Sequence, residues 1–239
     1  NSLQQETGNC VEAFEYMPRY YIQSHLEVFP DARAPFDAEY DVNILLEAAS
    51  TIQAMAESGA DGKIRWMTML EDRLAALMQD GIILDAVVSQ NEAQRMEMWA
   101  RREAAAELSL RRRPLVNNDI ALPIDKVAEF LETAQKRVLE ICPTATVLEV
   151  AHLGDGNVHY VVWPNSEDPS YIDRIMEGVE NIVLEFGGSF SAEHGIGRSK
   201  LPSMKRRKNP VAIQVMRQIK QALDPNNIMN PGKVLPEIE

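Results

Sequence analysis

Three of the four histidines in the chain fall in two short segments, His152-Leu-Gly-Asp-Gly-Asn-Val-His159 and Ser191-Ala-Glu-His-Gly-Ile-Gly197. Imidazoles grouped in this way, with Glu193 beside His194, are of the types that hold a divalent ion or move a proton at neutral pH. Asp155-Gly156 is a type I′ turn signal, because both central positions of that turn take positive φ. A two-residue loop there sets Leu153 opposite Val158 and His152 opposite His159, and directly opposed residues of a hairpin project to one face. Glu193 reaches the pair from a second loop braced by Gly188, Gly195 and Gly197. Two histidines and a carboxylate leave a position open for water or substrate, which suits Zn²⁺ or Mn²⁺ acting as a Lewis acid on a hydroxyl or carboxylate oxygen. Asp155 or Asn157 would then fix an imidazole tautomer from behind.

The same spacing also fits a structural use, a surface His152–His159 pair with Glu193 as a helix cap or ion-pair partner. His194, whose ordinary pKa is about 6.5, is a better base at neutral pH than an exposed carboxylate. Placing Glu193 on the ion leaves His194 for that work. The alternative for His194 is a hydrogen-bonded brace of its own loop.

The flanking elements follow from periodicity. Apolar spacing predicts a helix from Glu12 to Val28, closed by Pro30. Val42–Ala48 reads as a buried strand, Ile64–Met78 as a helix ended by Gly81, and Ile82–Val88 as another strand. Asn91–Leu110 is rich in helix formers. Pro114 and Asn117-Asn118-Asp119 break the pattern before a second unit. That unit has a helix over Lys126–Ile141, strands over Thr146–His152 and Val158–Trp163, and a helix opened by Asp168-Pro169 and ended by Gly187-Gly188. Asn209-Pro210 opens a last helix. The order predicts an α+β protein, antiparallel sheets with helices on one face, built as two ferredoxin-like halves over 1–113 and 114–222 with a tail at 223–239.

The 239 residues, 45% of them hydrophobic, can bury a core without a disulfide. A formal charge of -12 argues against nucleic acid or an anionic membrane as partner. Arg111-Arg112-Arg113, with Arg101 and Arg102 upstream, is a local exception, either a solvated or contact face or a device steering an anionic substrate. Cys10 and Cys142 are too few for a disulfide scaffold and fit a reducing compartment. The polar opening Asn1–Gly8 lacks the parts of a signal peptide, and no segment supplies the roughly 20 apolar residues of a membrane span. A cytoplasmic location is the default expectation.

His152–His159, Gly187-Gly-Ser-Phe-Ser-Ala-Glu-His-Gly-Ile-Gly197 and Leu223-Asp-Pro-Asn-Asn-Ile-Met-Asn-Pro-Gly-Lys233 together resemble the C-terminal half of FAD-linked oxidases of the D-lactate, glycolate and D-2-hydroxyglutarate dehydrogenase type. The resemblance runs over nearly the whole chain. It implies a substrate-binding cap domain with a ferredoxin-like core, and an N-terminal FAD-binding domain that is absent from these residues. It makes His152, His159 and Glu193 the metal or substrate-polarising groups, and His194 the base that takes the 2-hydroxyl proton while hydride passes to flavin N5. Electrons then go to an external acceptor. Arg102 matches the arginine that clamps a substrate carboxylate by its bidentate fork, its alternative being a helix-surface ion pair. Asn230 aligns with a residue close to the flavin, and would otherwise cap the backbone around Pro231-Gly232.

Three positions depart from the family's pattern. Asn117 stands where lysine is common, Ala106 where a hydroxyl is common, and Val161 where an asparagine often occurs. These changes imply a small or apolar 2-hydroxy acid, D-lactate or glycolate-like, rather than a dicarboxylic one. Two other classes fit the residues alone: a metal-dependent hydrolase or isomerase, which needs no electron acceptor, and a non-catalytic binding module. An apolar face left for the FAD-binding domain would also let the chain form a homo-oligomer.

Overall fold

The strands that carry the histidines form a three-stranded antiparallel ladder. In this computed structural model, which describes residues 10–59 and 62–237, β3 (Val116–Ala121), β4 (Thr146–His152) and β5 (Asn157–Trp163) pair in the order β4-β5-β3. The opening Asn1–Gly8 lies outside the described residues. Because side chains alternate along a strand, one face of the ladder carries Val116, Asn118, Ile120, Val158, Tyr160 and Val162. Two helices pack on that face, α6 (Val127–Ile141) and α7 (Ser170–Glu185). Each buries a stripe at helical spacing, Val127, Phe130, Ala134 and Val138 on α6, and Ile175, Val179, Ile182 and Val183 on α7. Phe130 meets the Tyr160 ring edge-on at 5.7 Å. The opposite face carries Asn117, Asp119, His159, Val161, Leu148, Val150 and His152, and so holds both hairpin histidines.

After α7 the chain returns antiparallel to the outer edge of β3 through a bridge of Ser189 to Ala121. The run strand, helix, strand, strand, helix with this short return is a ferredoxin-like βαββα unit. Helices α8 (Leu201–Arg207) and α9 (Pro210–Leu223) follow, the second capped by the Asn209 side chain on the Val211 N–H. This material belongs to one compact unit, Arg112–Glu239.

The other unit, Asn1–Arg111, is built on an antiparallel pair, β1 (Val11–Pro18) with β2 (Val42–Ala48), bulged between Val11 and Ala13. Helix α1 (Arg19–Val28) joins the two strands, and α2 (Gln53–Ala56), α3 (Arg65–Gln79), α4 (Glu92–Glu103) and α5 (Ala105–Leu110) complete the unit. The molecule is therefore α+β, with an antiparallel sheet and helices packed on one face. No helix among the described residues is long and apolar enough to cross a membrane.

Three local expectations give way. The helix expected over Glu12–Val28 begins only at Arg19, because residues 11–18 are held in the ladder with β2 and Pro18 keeps an extended ψ of 167° at the N-cap. Ile82–Val88 is not a strand; it forms no ladder, and Leu84 stands 74% exposed. Asn117-Asn118-Asp119, taken as a break, is the centre of β3. There Asn118 donates to the Tyr160 carbonyl at 3.1 Å, so its polarity is satisfied inside the sheet.

Candidate functional site

The hairpin that carries two of the histidines is wider than the dipeptide Asp155-Gly156 predicts. His152 is opposite Asn157 and Val150 is opposite His159, so the loop has four residues, 153–156. The N–H groups of Asp155 and Gly156 both donate to the His152 carbonyl, at 3.3 and 3.1 Å, and the Asp155 carboxylate accepts from the Asn157 N–H at 2.9 Å. Only Gly156 takes a positive φ, +78°. The register thus differs from the expected one by two residues. Because facing alternates with a period of two, such a shift leaves both imidazoles on the same face, now diagonal rather than directly opposed. Their ring centroids lie 5.3 Å apart at 78°.

The loop cannot drift, because Gly156 is seated on the end of β3. Its carbonyl accepts the Leu122 N–H at 3.0 Å, and a Cβ there would lie 2.0 Å from the Leu122 oxygen. The glutamate–histidine loop is tied to the same place. Ser189 exchanges two main-chain bonds with Ala121, at 3.0 and 2.8 Å, and the Ala192 N–H donates to the Asp119 carbonyl at 3.1 Å. That path along β3 delivers Glu193 and His194 onto the histidine face.

There, a single carboxylate oxygen stands among three imidazoles. Glu193 Oε1 is 3.2 Å from His159 Nε2, 3.5 Å from His194 Nε2 and 3.8 Å from His152 Nε2. The ligand atoms of His152, His159 and Glu193 all lie within 4.8 Å of one another. Separations from oxygen to imidazole nitrogen below 4 Å are within twice the bond length of about 2 Å that Zn²⁺ makes to such donors, so the donor set fits a borderline divalent ion. Glu193 and His194 are half-exposed, at 50% and 56% of their side chains, so the cluster is reachable by a small molecule.

Sequence reasoning missed the residue at the back of this cluster. Asp119, 1% exposed, sits on β3 directly opposite His159. Its Oδ2 accepts from Lys200 Nζ at 2.8 Å and from the His194 N–H at 3.0 Å, and lies 3.6 Å from His194 Nδ1. Its Oδ1 is buried without a hydrogen-bond partner among the described residues and lies 3.8 Å from His159 Nδ1. Burial opposes ionisation of this carboxyl, but the Lys200 ammonium and the His194 N–H outweigh it and hold its pKa below the ordinary value. Asp119, His159 and His194 form a second set with metal-compatible spacing. His159 and His194 stack at 5.4 Å.

The remaining expected residues belong to other elements. Arg102 belongs to the first unit, where it is buried on α4 and ion-paired to Glu15 of β1 at 2.7 Å. The helix carries it inward rather than at its surface, and the Tyr21 hydroxyl braces the turn from the carbonyls of Arg101 and Arg102. Asn230 lies in the tail with φ +48°, its side-chain oxygen accepting from Lys233 at 3.3 Å. The tail is fixed just before it by Asp224, which accepts the N–H groups of Ile228 and Met229, each at 2.9 Å. Asn117 and Val161 pair with each other on the histidine face, two residues along from Asp119 and His159.

Residues 8–234 match the family model described as FAD linked oxidases, C-terminal domain. This chain belongs to that family. A protein of Oryza sativa subsp. indica named probable D-2-hydroxyglutarate dehydrogenase, mitochondrial, is 31% identical over 96% of the chain and 39% of its own length. The D-2-hydroxyglutarate dehydrogenase of Stutzerimonas stutzeri is 32% identical over 85% of the chain and 42% of its own length. The D-lactate dehydrogenase of Anaerostipes hadrus is 32% identical over 70% of the chain and 35% of its own length. The FAD-linked oxidase domain described here therefore spans about two fifths of the curated relatives it matches. The expected cytoplasmic location does not stand. The rice protein's name places it in mitochondria, as do those of similar proteins from Arabidopsis thaliana and Rattus norvegicus.

Proposed function

We propose that this domain is the substrate- and metal-binding part of an FAD-dependent oxidoreductase that converts a 2-hydroxy acid to its 2-oxo acid. The observation that carries the reading is the convergence of His152, His159 and His194 nitrogens on one Glu193 oxygen, on a face built by three tied strands. In this reading His152, His159 and Glu193 hold a divalent ion, Zn²⁺ or Mn²⁺. When bound, the ion supplies positive charge beside the substrate hydroxyl and the flavin, held by another part of the protein, supplies the two-electron acceptor that passes its electrons to an external acceptor.

The chain's own residues orient the substrate and move the proton. His194 has Nδ1 toward Asp119 and Nε2 toward the cluster, so Nε2 is the nitrogen that takes the hydroxyl proton. Arg102 is the reading's carboxylate clamp, a role in which its guanidinium would exchange or share the Glu15 contact. Asn230 would be the residue of the tail that helps hold the flavin. The substrate is a small or apolar 2-hydroxy acid, because the Asn117–Val161 rung offers no cation for a second carboxylate.

The test is metal content by mass spectrometry together with turnover of the flavin-containing protein. About one equivalent of divalent metal is expected, lost in His152→Ala and in Glu193→Ala. His194→Gln should keep the metal and lose turnover by about 10²–10⁴-fold. Full activity in His194→Gln, or metal retained in both ligand variants, would remove the reading.

A further inference from the structure

We infer that Asp119, clamped by Lys200, is the positioning carboxylate of the cluster: it sets the proton of His159 on Nδ1, so that Nε2 faces the ion, and orients His194 from behind. The inference rests on the metal site proposed above and goes beyond it to residues outside the ligand set. Asp119 divides its two oxygens. Oδ2 is taken by Lys200 and by the His194 main chain, while Oδ1, buried and without a donor among the described residues, points at His159 Nδ1. A buried acceptor is costly to leave unmet, and the donor facing it is His159 Nδ1–H. The 3.8 Å between them is longer than a hydrogen bond but close enough for the carboxylate to favour a proton on that nitrogen.

His159 thus has two distinct sides. Nδ1 faces Asp119, and Nε2 faces Glu193 at 3.2 Å. A carboxylate behind one nitrogen of a ligating histidine fixes both the tautomer and the direction of the other. The competing arrangement is an ion held by Asp119, His159 and His194. Lys200 rules against it. Its ammonium, 2.8 Å from Asp119 Oδ2 and 2.8 Å from Ser191 Oγ, already occupies the cation position at that carboxylate and would repel a second positive charge. Lys200 therefore confines the ion to the Glu193 side.

The experiment is nitrogen-15 NMR of the histidine rings in the complete chain, with Zn²⁺ titrations, on wild type, Asp119→Asn, Asp119→Ala and Lys200→Met. With Zn²⁺ bound, wild-type His159 should carry its ring proton on Nδ1; without Zn²⁺, where Nε2 also faces Glu193 at 3.2 Å, its neutral form should show a larger Nδ1–H share than in Asp119→Ala. Asp119→Ala should move that proton to Nε2 and weaken Zn²⁺ by about 10–100-fold, with Asp119→Asn, of nearly the same shape, intermediate in affinity. Lys200→Met should keep the Nδ1 proton and admit a second, weaker equivalent of Zn²⁺. A general loss of stability would not move the tautomer in the folded population. An Nδ1–H share in wild-type His159 no larger than in Asp119→Ala, or unchanged Zn²⁺ affinity in both Asp119 variants, overturns the positioning role, and a single equivalent in Lys200→Met overturns the confining role. Failure of wild type to bind Zn²⁺ at all counts against the functional reading, while the wild-type tautomer still decides the part played by Asp119.

Discussion

Glu149 shows how one half-buried group couples the sheet to pH. It lies opposite Tyr160 on the helix-covered face, and burial pushes its carboxyl up from 4.5 to about 7. Burial also raises the pKa of the Tyr160 phenol, with Glu149 adding to the effect, and the hydroxyl has no hydrogen-bond partner among the described residues. An acid whose pKa is raised on folding binds more protons in the folded state. Stability is therefore full below the unfolded value and declines as pH rises from 4.5 to about 7. Glu149→Gln should match wild type in chemical denaturation near about pH 4 and exceed it by about 1–3 kcal/mol near about pH 8. Equal stabilities at the higher pH would mean that Glu149 ionises freely in the fold. At this scale the sequence made His152, His159, Glu193 and His194 legible, since they sit in short glycine-punctuated segments. It did not reveal Asp119, whose meaning depends on Lys200, 81 residues later, and on a strand partner.

At the scale of elements, two glycines decide how the motif loops are held. Gly156 combines a φ of +78° with no room for a side chain against Leu122, and Gly188 faces the Ala121 oxygen at 2.5 Å from where a Cβ would stand. Gly156→Ala should destabilise the protein by about 2–4 kcal/mol, from left-handed strain and overpacking together. It should also weaken metal binding, which a thermal melt and a Zn²⁺ titration would check. A melt within a degree or so of wild type would show that the loop gives way easily. Helices such as Val127–Ile141 were legible because their apolar stripes repeat at helical spacing. The hairpin register was not, because the Asp155 side chain and the Leu122 backbone select the wider loop, and neither shows in the dipeptide alone. β3 was hidden by its polar centre, and β1 by apolar residues whose spacing also fits a helix until Pro18.

Across the whole molecule, the metal-compatible cluster lies within Arg112–Glu239, whereas Arg102 belongs to Asn1–Arg111. The chain's net charge of -12 gives no general attraction for anionic substrates, so selectivity falls to individual cations and to the shape of the functional face. With Asn117 and Val161 on that face, the flavin-containing protein should have a higher kcat/KM for D-lactate or glycolate than for D-2-hydroxyglutarate. Steady-state kinetics with an artificial electron acceptor would decide it, and the reverse order would sink the preference. Asn117→Lys should raise the relative rate on the dicarboxylic acid.

The motif loops are sewn to β3 by main-chain bonds at Asp119, Ala121 and Leu122, to which the Asp119 carboxylate adds a bond from the His194 N–H. None of these bonds is made by Asn117 or Val161. Residues such as Asn117 and Val161 are free to drift while the donor atoms stay where the backbone puts them. On the function proposed above, the fold would in this way separate the part that does chemistry from the part that chooses the acid, and one unchanged frame could pass through many choices of substrate over evolutionary time.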